Sequence, residues 1–141
     1  MTPRDPSRSV RVLLVEDSLP DRQRLKTLIA EAKSALVVGE VGSVAGALFL
    51  IHSDPVDAVV LDLQLWDGDG CAVLSEVKRT QPSCLVIVLT SLSTPEHRTH
   101  CLQLGADHVF DMTNELHRVP EVLADLRLAL SGKATTSQNH P

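Results

Sequence analysis

Aromatic side chains are nearly missing from this sequence: one tryptophan, Trp66, two phenylalanines and no tyrosine. Tryptophan fluorescence therefore reports on a single loop. Cysteine is also sparse, and Cys71, Cys84 and Cys101 form an odd set without a C-x-x-C pair. That excludes a disulfide or zinc framework and fits reduced thiols in a cytoplasmic protein. Basic residues are outnumbered, 13 against 18 acidic ones, for a formal charge of −5. Nucleic acid bound through a basic face is not expected. No apolar run approaches a membrane span, and Met1–Ser9 lacks the apolar stretch of a signal peptide, so no membrane partner is expected either. Internal repeats and linkers are absent. What the chain has is 141 residues, enough for one domain with its own core.

Short β-branched runs alternate with segments of helical period, the pattern of βαβ units around a parallel sheet. Strands are expected at 10–15, 36–41, 58–61, 85–89 and 108–110. The first helix opens near Pro20 and buries Leu25, Leu28, Ile29 and Ala32; the second opens at Ser43 and stops at Ser53-Asp54-Pro55. A third covers about 71–79, after the turn Asp67-Gly68-Asp69-Gly70. Ser93-x-x-Glu96 is a capping box for the fourth, which Gly105 ends. The last carries Leu116, Val119, Leu123, Leu126 and Leu130, with a distorted turn at 114–119 and a regular helix from Pro120. The fold class is α/β, a doubly wound five-stranded parallel sheet with five flanking helices.

Two of these strands end in acid. Val10–Val15 runs into Glu16-Asp17, and Asp57–Leu61 runs into Asp62. Ligands of open α/β sheets bind at the carboxyl ends of strands. If the two strands are neighbours, three carboxylates converge there and need a counter-ion, for which a divalent cation such as Mg²⁺ is suited. An aspartate beside such an ion can attack a phosphoryl group, and Asp62, which ends the central strand, is the candidate. Thr90, at the end of the fourth strand, can give the phosphoryl one hydrogen bond, and small Ser91 leaves it room. Taken singly, each of these residues reads as an ordinary turn or strand-end residue. At three strand ends together they read as a site.

Val15-Glu16-Asp17-Ser18, Val60–Leu65 followed by Asp67–Gly70, Val86–Ser91 and Gly105-Ala106-Asp107 occur in this order. In that order they resemble the receiver domain of bacterial two-component response regulators, over roughly residues 10–131. The resemblance implies a flavodoxin-like fold and phosphorylation of Asp62 by a histidine kinase or histidine phosphotransferase. It implies a metal held by Glu16, Asp17, Asp62 and the backbone carbonyl of Gln64, with Thr90 and Ser91 contacting the phosphoryl group. Output would pass to a downstream protein through the face of helix four, strand five and helix five. Residues 1–9 and 132–141 are expected to be disordered, so the receiver would stand alone. It would be a monomer, because helix four (His97, His100, Cys101) offers no apolar seam, and the two histidines read as solvated.

Three positions depart from the family pattern. Its lysine at the end of strand five falls on Met112 and its aromatic on Val109; Arg118 is a possible substitute for the lysine. A sulfur replaces an ammonium donor, and a stiff valine replaces a ring that swings with the Thr90 hydroxyl. Trp66 stands where proline is common, as a half-buried loop residue or else a partner anchor or lid. The first expectation is a phosphoacceptor, not an enzyme beyond self-phosphorylation and self-dephosphorylation with Mg²⁺. The alternative is a pseudo-receiver that binds partners independently of phosphorylation. A phosphohydrolase lacks a second aspartate as general acid, and a flavin protein lacks the phosphate-cradling loop after strand one.

Overall fold

The structure, a computed structural model, describes residues 9–91 and 94–133. Its strands are β1 (Val10–Val15), β2 (Ala35–Val41), β3 (Ala58–Asp62), β4 (Leu85–Thr90) and β5 (His108–Asp111). All pair in parallel, in the order β2-β1-β3-β4-β5. The helices are α1 (Leu19–Glu31), α2 (Val44–Ser53), α3 (Cys71–Thr80), α4 (Pro95–Gln103) and α5 (Arg118–Leu128), the last continued by a π-helical turn at Ala129–Lys133. Gln64–Leu65 and Gly68–Asp69 add a short antiparallel hairpin between β3 and α3.

Strand residues alternate between two apolar layers, as a period of two requires. Val12, Leu14, Val60, Ile87, Leu89 and Phe110 pack with Leu25 and Ile29 of α1 and Val119 and Leu123 of α5. Leu13, Val15, Val59, Leu61, Val86, Val88 and Val109 face Ile51 of α2, Leu74 and Val77 of α3 and Cys101 of α4. With helices on both faces, the central strands are nearly unbroken apolar runs.

Helix starts follow local chemistry. Ser18 Oγ accepts from Asp21 N–H at 3.3 Å, and Ser43 Oγ accepts from Gly46 N–H at 2.9 Å. Helix α4 corrects the expectation: its cap is Thr94, whose Oγ1 accepts from His97 N–H at 3.2 Å, while Ser93 lies outside the described residues. Helix α5 begins at Arg118 rather than at Pro120. A proline in the first turn removes an N–H that has no intrahelical acceptor, so it does not delay the start. The segments expected to be disordered lie outside the described residues, apart from Ser9, Gly132 and Lys133.

The opposite end of the sheet is closed by side chains. Asp57 Oδ2 accepts from Arg11 N–H at 2.8 Å; Asp107 Oδ2 accepts from Val86 N–H and from Lys78 Nζ, both at 2.8 Å. Gly105, at φ +110, brings the chain over the Lys78 stem, where a Cβ would lie 2.8 Å from Lys78 Cγ. Lys78 is thereby committed far from the carboxylates at the other end of β4.

Candidate functional site

Register decides the site. Val15 pairs with Leu61, so the next residues, Glu16 and Asp62, leave the sheet side by side. One oxygen from each of Glu16, Asp17 and Asp62 lies within 4.8 Å of the others. The loop after β3 is held tightly. Gly70 N–H donates to Leu63 O at 2.7 Å, and Gln64 N–H donates to Asp62 Oδ1 at 3.0 Å. A Cβ at Gly70 would meet Asp62 O at 2.8 Å and Leu63 Cα at 2.9 Å, both backbone atoms. Gly70→Ala is therefore expected to cost about 1–3 kcal/mol of stability, read as a lower urea midpoint with an unchanged slope.

Glu16 is 1% exposed. Its Oε2 accepts Ser18 N–H at 3.0 Å, whereas its Oε1 is buried with no hydrogen-bond partner. Burial, helped by the nearby Asp62 charge and opposed by the Ser18 bond, pushes its carboxyl up to about 8. Burial also raises Asp62, against the Gln64 N–H bond that favours its ionised form. A buried carboxylate oxygen without a donor, in a cluster of three acids, fits a hard cation bound through oxygen. The donor set therefore suits a divalent metal, held by Glu16, Asp17 and Asp62.

Over Asp62 opens a crevice of 370 Å³, lined also by Asp21, Arg24, Gln64, Ser91, Met112 and Thr113. Ser91 Oγ donates to Gln64 Oε1 at 3.3 Å. Thr90 is 1% exposed at the end of β4, and its carbonyl accepts Met112 N–H at 2.9 Å. Met112 thus sits beside Asp62, while Val109 is buried among the residues facing α4. Arg118 does not replace the lysine: its guanidinium lies 4.7 Å from the centre of the Phe110 ring and pairs with Glu115 at 3.3 Å.

The chain matches the family model of the response regulator receiver domain over residues 12–121. It belongs to that family. This receiver is 33% identical over 97 residues to the DNA-binding transcriptional activator DevR/DosR of Mycobacterium tuberculosis, covering 69% of this chain and 45% of that protein. It is 30% identical over 134 residues to the transcriptional regulatory protein QseB of Escherichia coli O157:H7, covering 93% of this chain and 59% of that one. The chain spans about half the length of the curated relatives it matches. Among solved structures, the response regulator domain of Thermotoga maritima CheB superposes with a TM-score of 0.74 at 23% identity, covering 89% and 98% of the two chains. At that identity the likeness is one of fold.

Four features of the receiver go beyond the sequence reading or correct it. Trp66 is 77% exposed, which removes the half-buried alternative and leaves the partner anchor or lid untested. Its hairpin is pinned by Asp67, whose carboxylate accepts Val44 N–H at 2.7 Å and Ala45 N–H at 3.2 Å, which holds its own titration low. Asp67 thus caps α2 from another loop, which no local pattern reveals. His97 is half-buried, not solvated, and lines a surface pocket with Leu63, Leu65 and Asp69. Arg24 faces the crevice, and here a signal existed: Asp21 and Arg24 are three apart on α1 and share a face.

Proposed function

We propose that this receiver is a Mg²⁺-dependent phosphoacceptor that takes a phosphoryl group onto Asp62 from a histidine kinase or histidine phosphotransferase. The observation that carries the reading is the meeting of Glu16, Asp17 and Asp62 at the carboxyl edge of the sheet, with Asp62 ending its central strand. The P–N bond of a phosphohistidine breaks as an Asp62 oxygen bonds to phosphorus, and the imidazole nitrogen keeps the electron pair. Glu16, Asp17, Asp62 and the Gln64 carbonyl would hold Mg²⁺, which keeps the carboxylates ionised and offsets charge on the phosphoryl oxygens. Thr90 and Ser91 supply hydroxyls at the β4 end. Water then hydrolyses the acyl phosphate, so the chain turns over no substrate apart from its own phosphorylation.

Output by contact with a downstream protein through α4, β5 and α5, as a monomer and without nucleic acid, belongs to the same proposal. So does a cytoplasmic setting. The net charge of −5 and three free cysteines support it. No helix of the described residues is long and apolar enough to cross a membrane.

Met112 and buried Val109 favour a second reading, a pseudo-receiver that binds its partner without switching. Trp66 separates the two, because it lies exposed in the hairpin that follows Asp62. A saturable, Mg²⁺-dependent change in its fluorescence on adding beryllium fluoride, abolished by Asp62→Asn, is the expected result. Absence of beryllium fluoride binding in a chain that still binds Mg²⁺ would establish the pseudo-receiver.

A further inference from the structure

The crevice over Asp62 has lost a cation at Met112, but another element brings one in. Arg24, on α1, is the only cationic side chain among the described residues that line it. Neighbouring cations already have partners. Arg22 donates to Glu16 O at 2.8 Å, and Lys26 pairs with Glu40 at 2.8 Å. Lys78 is held by Asp107, and Arg118 by Glu115 and the Phe110 ring. Arg24 has only a loose tether: its Nη1 stands 3.8 Å from Asp21 Oδ1, beyond hydrogen-bond range, and its side chain is 54% exposed.

We infer that Arg24 is a phosphoryl-contacting residue, its guanidinium taking over the charge neutralisation that the family assigns to a lysine at position 112. The inference rests on the reading of Asp62 as phosphoacceptor. The charge balance argues for it. Glu16, Asp17 and Asp62 bring three negative charges when ionised, Asp21 adds a fourth at the rim, and a bound divalent cation offsets two. An incoming phosphoryl group adds more negative charge in a crevice whose only cation among the described lining residues is Arg24. A guanidinium presents a planar fork of N–H donors that matches two phosphoryl oxygens. Its present partner is one distant, half-exposed carboxylate, so little is lost when it turns inward.

Calorimetric titration of the full chain with beryllium fluoride in saturating Mg²⁺ tests this, alongside a separate titration with Mg²⁺ alone. Arg24→Ala is expected to weaken beryllium fluoride binding about ten- to a hundred-fold. Its Mg²⁺ affinity should hold or rise, because a nearby positive charge is gone. Adding Met112→Lys to Arg24→Ala should restore the lost affinity, which a merely structural role for Arg24 does not predict. Equal beryllium fluoride affinity in Arg24→Ala and the unsubstituted chain overturns the inference and leaves the phosphoacceptor reading standing. A parallel loss of Mg²⁺ affinity that Met112→Lys fails to rescue also overturns it, making Arg24 a structural residue. If the unsubstituted chain binds no better than Asp62→Asn, the phosphoacceptor reading falls and this inference with it.

Discussion

Stripped of divalent cations, the folded chain should lose stability as pH rises from about 5 to above 8, and Glu16→Gln should remove most of that slope. Burial raises the Glu16 carboxyl from 4.5 to about 8 in the folded state. Between those values the folded chain holds a proton that the unfolded chain has released. The contribution of this proton to stability therefore falls with rising pH across the window; it is fully present below about 4.5 and lost above about 8. The span corresponds to on the order of 5 kcal/mol at most, shared between Glu16 and Asp62 because neighbouring acids titrate as a pair. Saturating Mg²⁺ should flatten the profile, since an ion bound only to the folded state supplies the opposite charge that burial withholds. Urea unfolding at several pH values, in chelator and in Mg²⁺, reads both effects. Equal slopes for Glu16→Gln and the unsubstituted chain in chelator would sink the argument.

The same cluster shows how far the sequence reaches. Strand cores were legible because β1 and β3 are buried on both faces, so their apolar runs are nearly unbroken. The acidic ends of those runs were legible for the same reason: a charge that directly follows a buried strand sits at the sheet edge. Ser18 and Ser43 were readable as caps because a cap is a short-range hydrogen bond within one turn. Asp67 was not, because it caps α2 from 23 residues away along the chain. The start of α5 is not legible from Pro120, which has the character of a breaker but falls in the first turn, where proline is tolerated. Arg24 is not legible as a replacement cation because it lies far along the chain from Met112 and meets it only at the folded crevice. The crevice is lined by residues far apart in the chain, and α1 contributes Asp21 and Arg24 to it.

Phe110→Ala is expected to cost about 3–5 kcal/mol, the usual range for deleting a large buried ring, while leaving beryllium fluoride affinity close to that of the unsubstituted chain. Phe110 is 2% exposed and packs with α1 and α5; Arg118 covers its ring. Side chains alternate along β5, so placing the ring at 110 puts it on the face opposite Val109. Thr90 follows Val88 by two residues and leaves β4 on the Val109 side, facing α4. Phe110, the one phenylalanine of β5, is thus a core residue and cannot answer a movement of the Thr90 hydroxyl. What joins the β4 end to the α4 surface instead is a chain of polar contacts. Met112 N–H donates to Thr90 O at 2.9 Å; Asp111 N–H donates to Glu115 Oε1 at 2.9 Å; and that carboxylate pairs with Arg98 of α4 at 3.5 Å. Stability and phosphoryl response should therefore separate at this strand. Denaturant unfolding and beryllium fluoride titration of Phe110→Ala, at a temperature where the variant stays folded, measure the two independently. A loss of affinity in step with the loss of stability would show that the ring does take part in the response, and that the two faces of β5 are not independent.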